Sequence, residues 1–195
     1  VWVRKWKKMP DGTYVIKSRL CARGFLDKQI PHLTTRATTS TKLSQKLILS
    51  LSVIFGLTLE TWDVSGAFLK GFPFEDLQKR LKIKGINTPR RNVVVRPPPD
   101  VCATLKRIDG SGVKGLTNTF SLVLVLLKPM YGLNDAPLAW QLCLQDYFVQ
   151  KRKAIQSAYD ECFFFWPRQA GEIEALGSCH VDDNQTAGTP KFLGL

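Results

Sequence analysis

Histidine is scarce in this chain: His32 and His180 are the only two. A metal centre built from several imidazoles is therefore excluded. The five cysteines, Cys21, Cys102, Cys143, Cys162 and Cys179, are odd in number and scattered, and no Cys-x-x-Cys pair occurs. That argues against a disulfide framework and a structural zinc site. It predicts reduced, mostly buried thiols in an intracellular protein, with cytoplasm and nucleus not distinguished. No apolar run reaches bilayer-spanning length; Ser121 to Leu127 is far too short, so no membrane partner is expected. The opening Val1-Trp2-Val3-Arg4-Lys5-Trp6 is no signal peptide and reads as the middle of a longer chain. Asn184-Gln185-Thr186 matches a glycosylation sequon, which without a secretion signal is read as chance. Acid is also in short supply. Sixteen Asp and Glu stand against 28 Lys and Arg, a net charge of +12, which points to nucleic acid or another anionic partner.

What is present is an ordinary apolar content of 44% over 195 residues, enough for one sizeable domain or one split into two lobes. Trp2 to Trp6 alternates apolar and basic residues, Pro10-Asp11-Gly12 is a turn signal, and Tyr14-Val15-Ile16 resumes a strand, so the first twenty residues predict a basic hairpin. Gln29 to Thr39 reads as loop. Leu43, Leu47, Leu51, Ile54 and Phe55 fall at helical spacing, with Ser40 or Thr41 to cap the start and Gly56 the end; the leucine stripe is expected in the core. A strand follows, with Leu57, Leu59, Thr61 and Asp63 on one face and Thr58, Glu60 and Trp62 on the other. Phe72 to Pro99 reads as irregular and charged, and Leu122 to Leu127 as a buried strand. Asp135 is placed to cap a second helix with Pro137 in its first turn and an apolar stripe of Trp140, Leu144, Tyr147 and Phe148. Cys162 to Trp166 and Ile173 to Val181 read as strands. Asp182-Asp183-Asn184 then turns the chain so that Gln185 to Gly188 can pair back. The mixture is not a strict βαβ alternation and favours an α+β fold with an antiparallel element at the carboxylate pair.

The chemistry is concentrated in carboxylates. Asp182 and Asp183 adjoin in a predicted turn, and Asp63 ends an earlier strand. Adjacent like charges repel unless cations neutralise them. A set of three can hold two hard divalent ions, which clamp the attacking and leaving oxygens of a phosphoryl or nucleotidyl transfer. Taken singly, each is also an ordinary turn or strand-end residue.

Four blocks, in order, resemble the reverse transcriptase of Copia-type LTR retrotransposons. Lys17-Ser18-Arg19-Leu20-Cys21-Ala22-Arg23-Gly24-Phe25 resembles the family's KARLVAKGF block. Trp62-Asp63-Val64-Ser65-Gly66-Ala67-Phe68-Leu69-Lys70-Gly71 resembles LDVKTAFLNG. Leu127 to Trp140, with Met130-Tyr131-Gly132-Leu133 and Ala136-Pro137, resembles LKKSLYGLKQAPRAW. His180-Val181-Asp182-Asp183 resembles YVDD. The third block is the most specific.

The resemblance implies a partial reverse transcriptase domain over residues 1–195. Residues 1–56 would be fingers-like and 57–195 palm-like, with an inserted loop over 72–120 and no thumb. It implies an RNA-directed DNA polymerase using two Mg²⁺ or Mn²⁺ ions, with template–primer RNA or DNA, dNTPs and the rest of the Pol polyprotein as partners. Asp63, Asp182 and Asp183 would be the catalytic, metal-binding triad, with the Val64 carbonyl also facing a metal. Phe68, five residues after Asp63, would crowd a ribose 2′-OH. Lys17, Arg19 and Arg23 would supply charge near the triphosphate or template, and Tyr131, Gly132 and Asp135 would lie near the template–primer. Two residues and one stretch depart from the pattern: Asp135 replaces the usual Gln, His180 the usual Tyr, and Phe72 to Pro99 does not follow the family's short acidic loop. A carboxylate at position 135, near a triphosphate, would be repulsive unless it only caps the helix. The alternatives are a non-catalytic retrotransposon remnant that binds nucleic acid through its basic surface, and a three-carboxylate nuclease of RNase H type. The nuclease would need further acidic residues and gives the Tyr131–Trp140 block no role.

Overall fold

Alternating side chains make strands β1 (Trp2–Lys8) and β2 (Tyr14–Leu20), paired antiparallel from Trp2–Leu20 to Lys8–Tyr14. The turn between them is held by the Asp11 carboxylate, which accepts from the Thr13 N–H at 2.9 Å. This hairpin is the one expected. The computed structural model describes residues 1–118, 121–168 and 171–195.

Helix α1 (Lys42–Ile54) starts at Thr41, whose hydroxyl accepts from the Ser44 N–H, and stops before Gly56 at φ +61°. Its boundaries match the sequence reading, but its buried face does not. Ser44, Ile48 and Ser52 face the core, while Leu43 and Ile54 are 75% and 70% exposed and Leu47 is also exposed. Small serines let the helix lie close to the sheet, and polar bonding fixes its rotation. The buried Asp160 carboxylate accepts from the Thr41 N–H, the Ser44 hydroxyl and the Cys162 N–H.

Burial pushes the Asp160 carboxyl up, but these three donors outweigh it and hold it below the ordinary carboxylate value. A folded-state pKa below the unfolded one means stabilisation that is complete above about pH 4 and lost as pH falls through the folded value. Asp160→Asn is therefore expected to flatten the acid limb of stability. Urea midpoints compared between about pH 7 and about pH 3 check this; an equal acid loss in both proteins contradicts it.

The chain then forms β3 (Thr58–Asp63), α2 (Ala67–Lys70), α3 (Phe74–Ile83), β4 (Val93–Val95), α4 (Pro99–Leu105) and β5 (Leu124–Leu126). The stretch read as irregular thus contains a helix. In α3, Phe74, Leu77 and Leu81 are buried at helical spacing, Glu75 and Asp76 lie in the first turn, and Arg80 and Lys82 in the last. Those charges suit the helix dipole. The predicted buried strand at Leu122–Leu127 shrinks to β5, which among the described residues pairs only with β4, and Val123, Val125 and Leu127 are exposed. A two-stranded ribbon has one covered face, here Leu126 and Val95 over the Phe74–Val93–Leu133–Ala136 cluster.

Helix α5 (Ala136–Asp146) runs into a π-helical turn, Tyr147–Lys151. Strands β6 (Ile155–Gln156), β7 (Phe163–Pro167), β8 (Ile173–His180) and β9 (Asp183–Gly188) follow, then the short helix α6 (Pro190–Leu193). A five-stranded antiparallel sheet in the order β3-β9-β8-β7-β6 results, so the α+β expectation holds. Its two faces pack on different helices. Phe164, Trp166, Ala175 and Cys179 meet Trp140, Leu144 and Phe148 from α5 and the turn after it, while Phe163, Leu176 and Ala187 meet Ile48 of α1. Tyr147, assigned to the apolar stripe, is half exposed at the rim. Cys102, Cys162 and Cys179 are buried, and all five cysteines are free. Among the described residues no helix is long and apolar enough to cross a membrane.

Candidate catalytic carboxylate site

Strands β3 and β9 are in register so that Asp63 faces Asp183, and β8 and β9 so that His180 faces Asp183. Partners in an antiparallel pair project to the same face with Cβ atoms about 4.5–5.5 Å apart. Asp63, Asp183 and His180 therefore form a row across three neighbouring strands. The row lies on the α1 side of the sheet, since Trp62 and Cys179 pack on the α5 side. It opens into a polar cavity of about 630 Å³, lined also by Ser40, Gln45, Thr61, Ser178 and Gln185.

Asp182 sits at the tip of the β8–β9 hairpin, where its carbonyl accepts from the Val64 N–H at 3.0 Å and from the Asn184 side chain at 2.8 Å. Its neighbour Val181 holds φ +61°, an outlier for a β-branched residue. The Val181 carbonyl is gripped by the indole N–H of Trp140 at 2.6 Å. That bond fixes the turn that presents Asp182.

The carboxylates of Asp63, Asp182 and Asp183 make no ion pair or hydrogen bond with a described residue, in a chain with net charge +12. Like charges directly opposed across strands are destabilising, a cost that a divalent cation removes. The facing pair thus fits the protein's share of one such ion, with water and phosphate oxygens filling the rest. Among the described residues no three His, Cys, Asp or Glu side chains gather as a metal-ligand group. The expected triad therefore stands as a facing pair with Asp182 beside it at the hairpin tip. The Val64 carbonyl, expected to face a metal, accepts from the Ala67 N–H at 3.2 Å, which closes the turn into α2.

Two of the predicted nucleotide contacts come together with a third block. The rings of Phe68 and Tyr131 lie 5.7 Å apart, and the Arg19 guanidinium stacks 5.3 Å from the Tyr131 ring. Lys17 lies two residues further out on β2, paired with Lys5, and Arg23 is exposed at the mouth of a separate, mainly apolar cavity. Gly132 is needed for close approach, but the neighbour is protein. The Ala22 N–H donates to the Tyr131 carbonyl at 2.7 Å, and Gly132 has φ +90°.

Asp135 precedes α5 but its side chain caps nothing. Its Oδ2 accepts from Arg91 Nε at 2.7 Å. The same guanidinium donates to Asp27 at 2.7 Å and to Gln29 Oε1 at 2.8 Å, and lies over the Phe74 ring. The side chains of Arg91 and Asp135 are only 4% and 3% exposed. Burial works against charge on Arg91 and Asp27, but their mutual contacts outweigh it, raising the arginine and lowering the Asp27 carboxyl. The carboxylate at position 135 is thus paired within the protein, by a guanidinium that it shares with Asp27.

Sequence reasoning missed Arg91 and Asp160, for which no local pattern exists. It also missed His180, Thr61 and Gln185 as cavity residues, which strand parity with Asp63 and Asp183 would have found. Comparison of the chain with models of known protein families, with curated proteins and with solved structures yields no match in any of the three.

Proposed function

We infer that the chain is the fingers–palm part of a Copia-type RNA-directed DNA polymerase, joining a dNTP to a primer 3′-hydroxyl. The observation that carries this reading is the meeting of the four family-like blocks in space. The first contacts the third through Ala22–Tyr131 and Arg19–Tyr131. The second meets the third through Phe68–Tyr131 and the fourth through Asp63–Asp183. The third holds the fourth through Trp140–Val181. Segments far apart in sequence are thereby joined by direct contacts, and one of those contacts is the facing carboxylate pair.

In this reading Asp63 and Asp183 hold a divalent ion, and Asp182 adds its carboxylate when template, primer and nucleotide are in place. When bound, the ion would make the primer hydroxyl more acidic and offset charge on the leaving pyrophosphate. Arg19 neutralises triphosphate charge, Phe68 stands against the ribose, and the basic hairpin holds the nucleic-acid backbone. Catalysis then rests on positioning and on charges fixed before the reaction.

Asp63→Asn is expected to lower Mg²⁺-dependent primer extension at least about a hundredfold, as loss of a transition-state charge partner does. Extension at the wild-type rate by the variant would remove the assignment. One observation favours a second reading, a non-catalytic remnant that binds nucleic acid: among the described residues the carboxylates are not gathered as a three-ligand group. That reading predicts no incorporation by the wild-type chain, with RNA or DNA binding that falls steeply with salt.

A further inference from the structure

The Arg91 cluster ties together three stretches that are distant in sequence. Asp27 and Gln29 follow the hairpin, Arg91 lies between α3 and β4, and Asp135 starts α5. A series of backbone bonds runs from Met130 through Asp135 into the first turn of α5. Leu133 N–H donates to the Met130 carbonyl at 3.1 Å, Ala136 N–H to Leu133 at 3.3 Å, and Ala139 N–H to Asp135 at 2.9 Å. Tyr131 lies inside that series. Its ring lies against both Arg19 and Phe68, and its carbonyl holds Ala22 at the hairpin base. Core packing continues the link, since Phe74, Leu133 and Ala136 form one cluster with Ala22, Phe68 and Met130. A guanidinium that forks to three acceptors fixes direction as well as distance, which one ammonium cannot do.

We propose that Arg91 and Asp135 are positioning residues for nucleotide selection: with Asp27 and Gln29 they form a buried clasp that locks the hairpin onto the start of α5 and so sets the spacing of Arg19, Tyr131 and Phe68. The functional half of this rests on the polymerase reading; the mechanical half does not. The clasp also accounts for Asp135. A carboxylate there is matched by Arg91, from the stretch between α3 and β4.

The test uses Asp135→Asn, which keeps the shape but removes one charge, and Arg91→Lys, which keeps the charge but loses the fork. Amide hydrogen exchange is read at Ala22, bonded to Tyr131, against Cys179, bonded to Cys162 inside the sheet. Ala22 is expected to exchange about tenfold faster in both variants with Cys179 unchanged, the mark of local opening. The KM for dNTP should rise about tenfold with kcat held within about twofold, the mark of a binding contact displaced before chemistry. Unchanged Ala22 exchange in both variants, or equal acceleration at Ala22 and Cys179, overturns the clasp. A wild-type chain that extends no primer removes the polymerase reading instead, and the exchange experiment then decides the clasp by itself.

Discussion

Replacing Arg91 with methionine is expected to destabilise the chain by about 3–5 kcal/mol, the usual cost of removing one partner from a buried charge network. The reason is what remains. Asp27 and Asp135 would be left without their shared cation, with Asp135 almost completely enclosed and one of its oxygens already without a partner. Against a typical domain stability of about 5–15 kcal/mol, that is a large fraction. Urea unfolding followed by tryptophan fluorescence measures it. The decisive comparison is the triple variant Arg91→Met, Asp27→Asn, Asp135→Asn. With all three charges gone it should lose far less than Arg91→Met alone, because the penalty comes from unpaired charge and not from a lost attraction. A loss below about 1 kcal/mol in Arg91→Met would show the carboxylates to be hydrated and the network peripheral.

Gly132→Ala is expected to cost about 3 kcal/mol or more, from a collision of about 1–3 kcal/mol and backbone strain of about 1–2 kcal/mol. A Cβ on Gly132 would lie 2.2 Å from the Ala22 carbonyl oxygen, and one on Gly24 would lie 1.9 Å from the Gly132 carbonyl oxygen. Both obstacles are backbone, so no side chain can swing aside and the hairpin base must lift from the turn before α5. The double variant Gly24→Ala, Gly132→Ala should cost clearly less than the sum, since one separation relieves both contacts. Gly12→Ala serves as the control. It has a similar φ of +86° but open space around it, so it should show the strain alone. Equal midpoint shifts at Gly12 and Gly132 would remove the close approach as the cause.

Much of the element order is legible from local pattern. Alternation predicts the hairpin and β3, because side chains on a strand repeat every two residues, and short apolar runs mark β7 and β8. Capping residues place the start of α1, and Asp182-Asp183 marks a chain reversal because short polar residues suit turns. Where the reading erred, local pattern and tertiary environment disagreed. The leucines of α1 are the stronger apolar stripe, yet the serines are buried, because the Asp160 carboxylate holds the helix by Thr41 and Ser44. Helix α3 went unread because its apolar residues are sparse among charges. Asp135 looked like a cap and is a salt-bridge partner, since its environment is set by residues 44 and 108 positions away.

The carboxylate site divides along the same line. From sequence alone came the α+β class, Asp63 at the end of a strand, Asp182 and Asp183 at a reversal, and the resemblance that links them to Phe68 and Tyr131. Each depends on neighbours along the chain or on motif spacing. Tertiary structure alone decided that Asp63 faces Asp183, that His180 joins the same row, that Asp182 sits beside the pair at the hairpin tip, and that Asp135 pairs with Arg91. Strand order, register and ion pairing bring together residues as far apart as Asp63 and Asp183, 120 positions along the chain. No local propensity encodes which of many possible partners a strand or a charge will meet until the whole chain has packed.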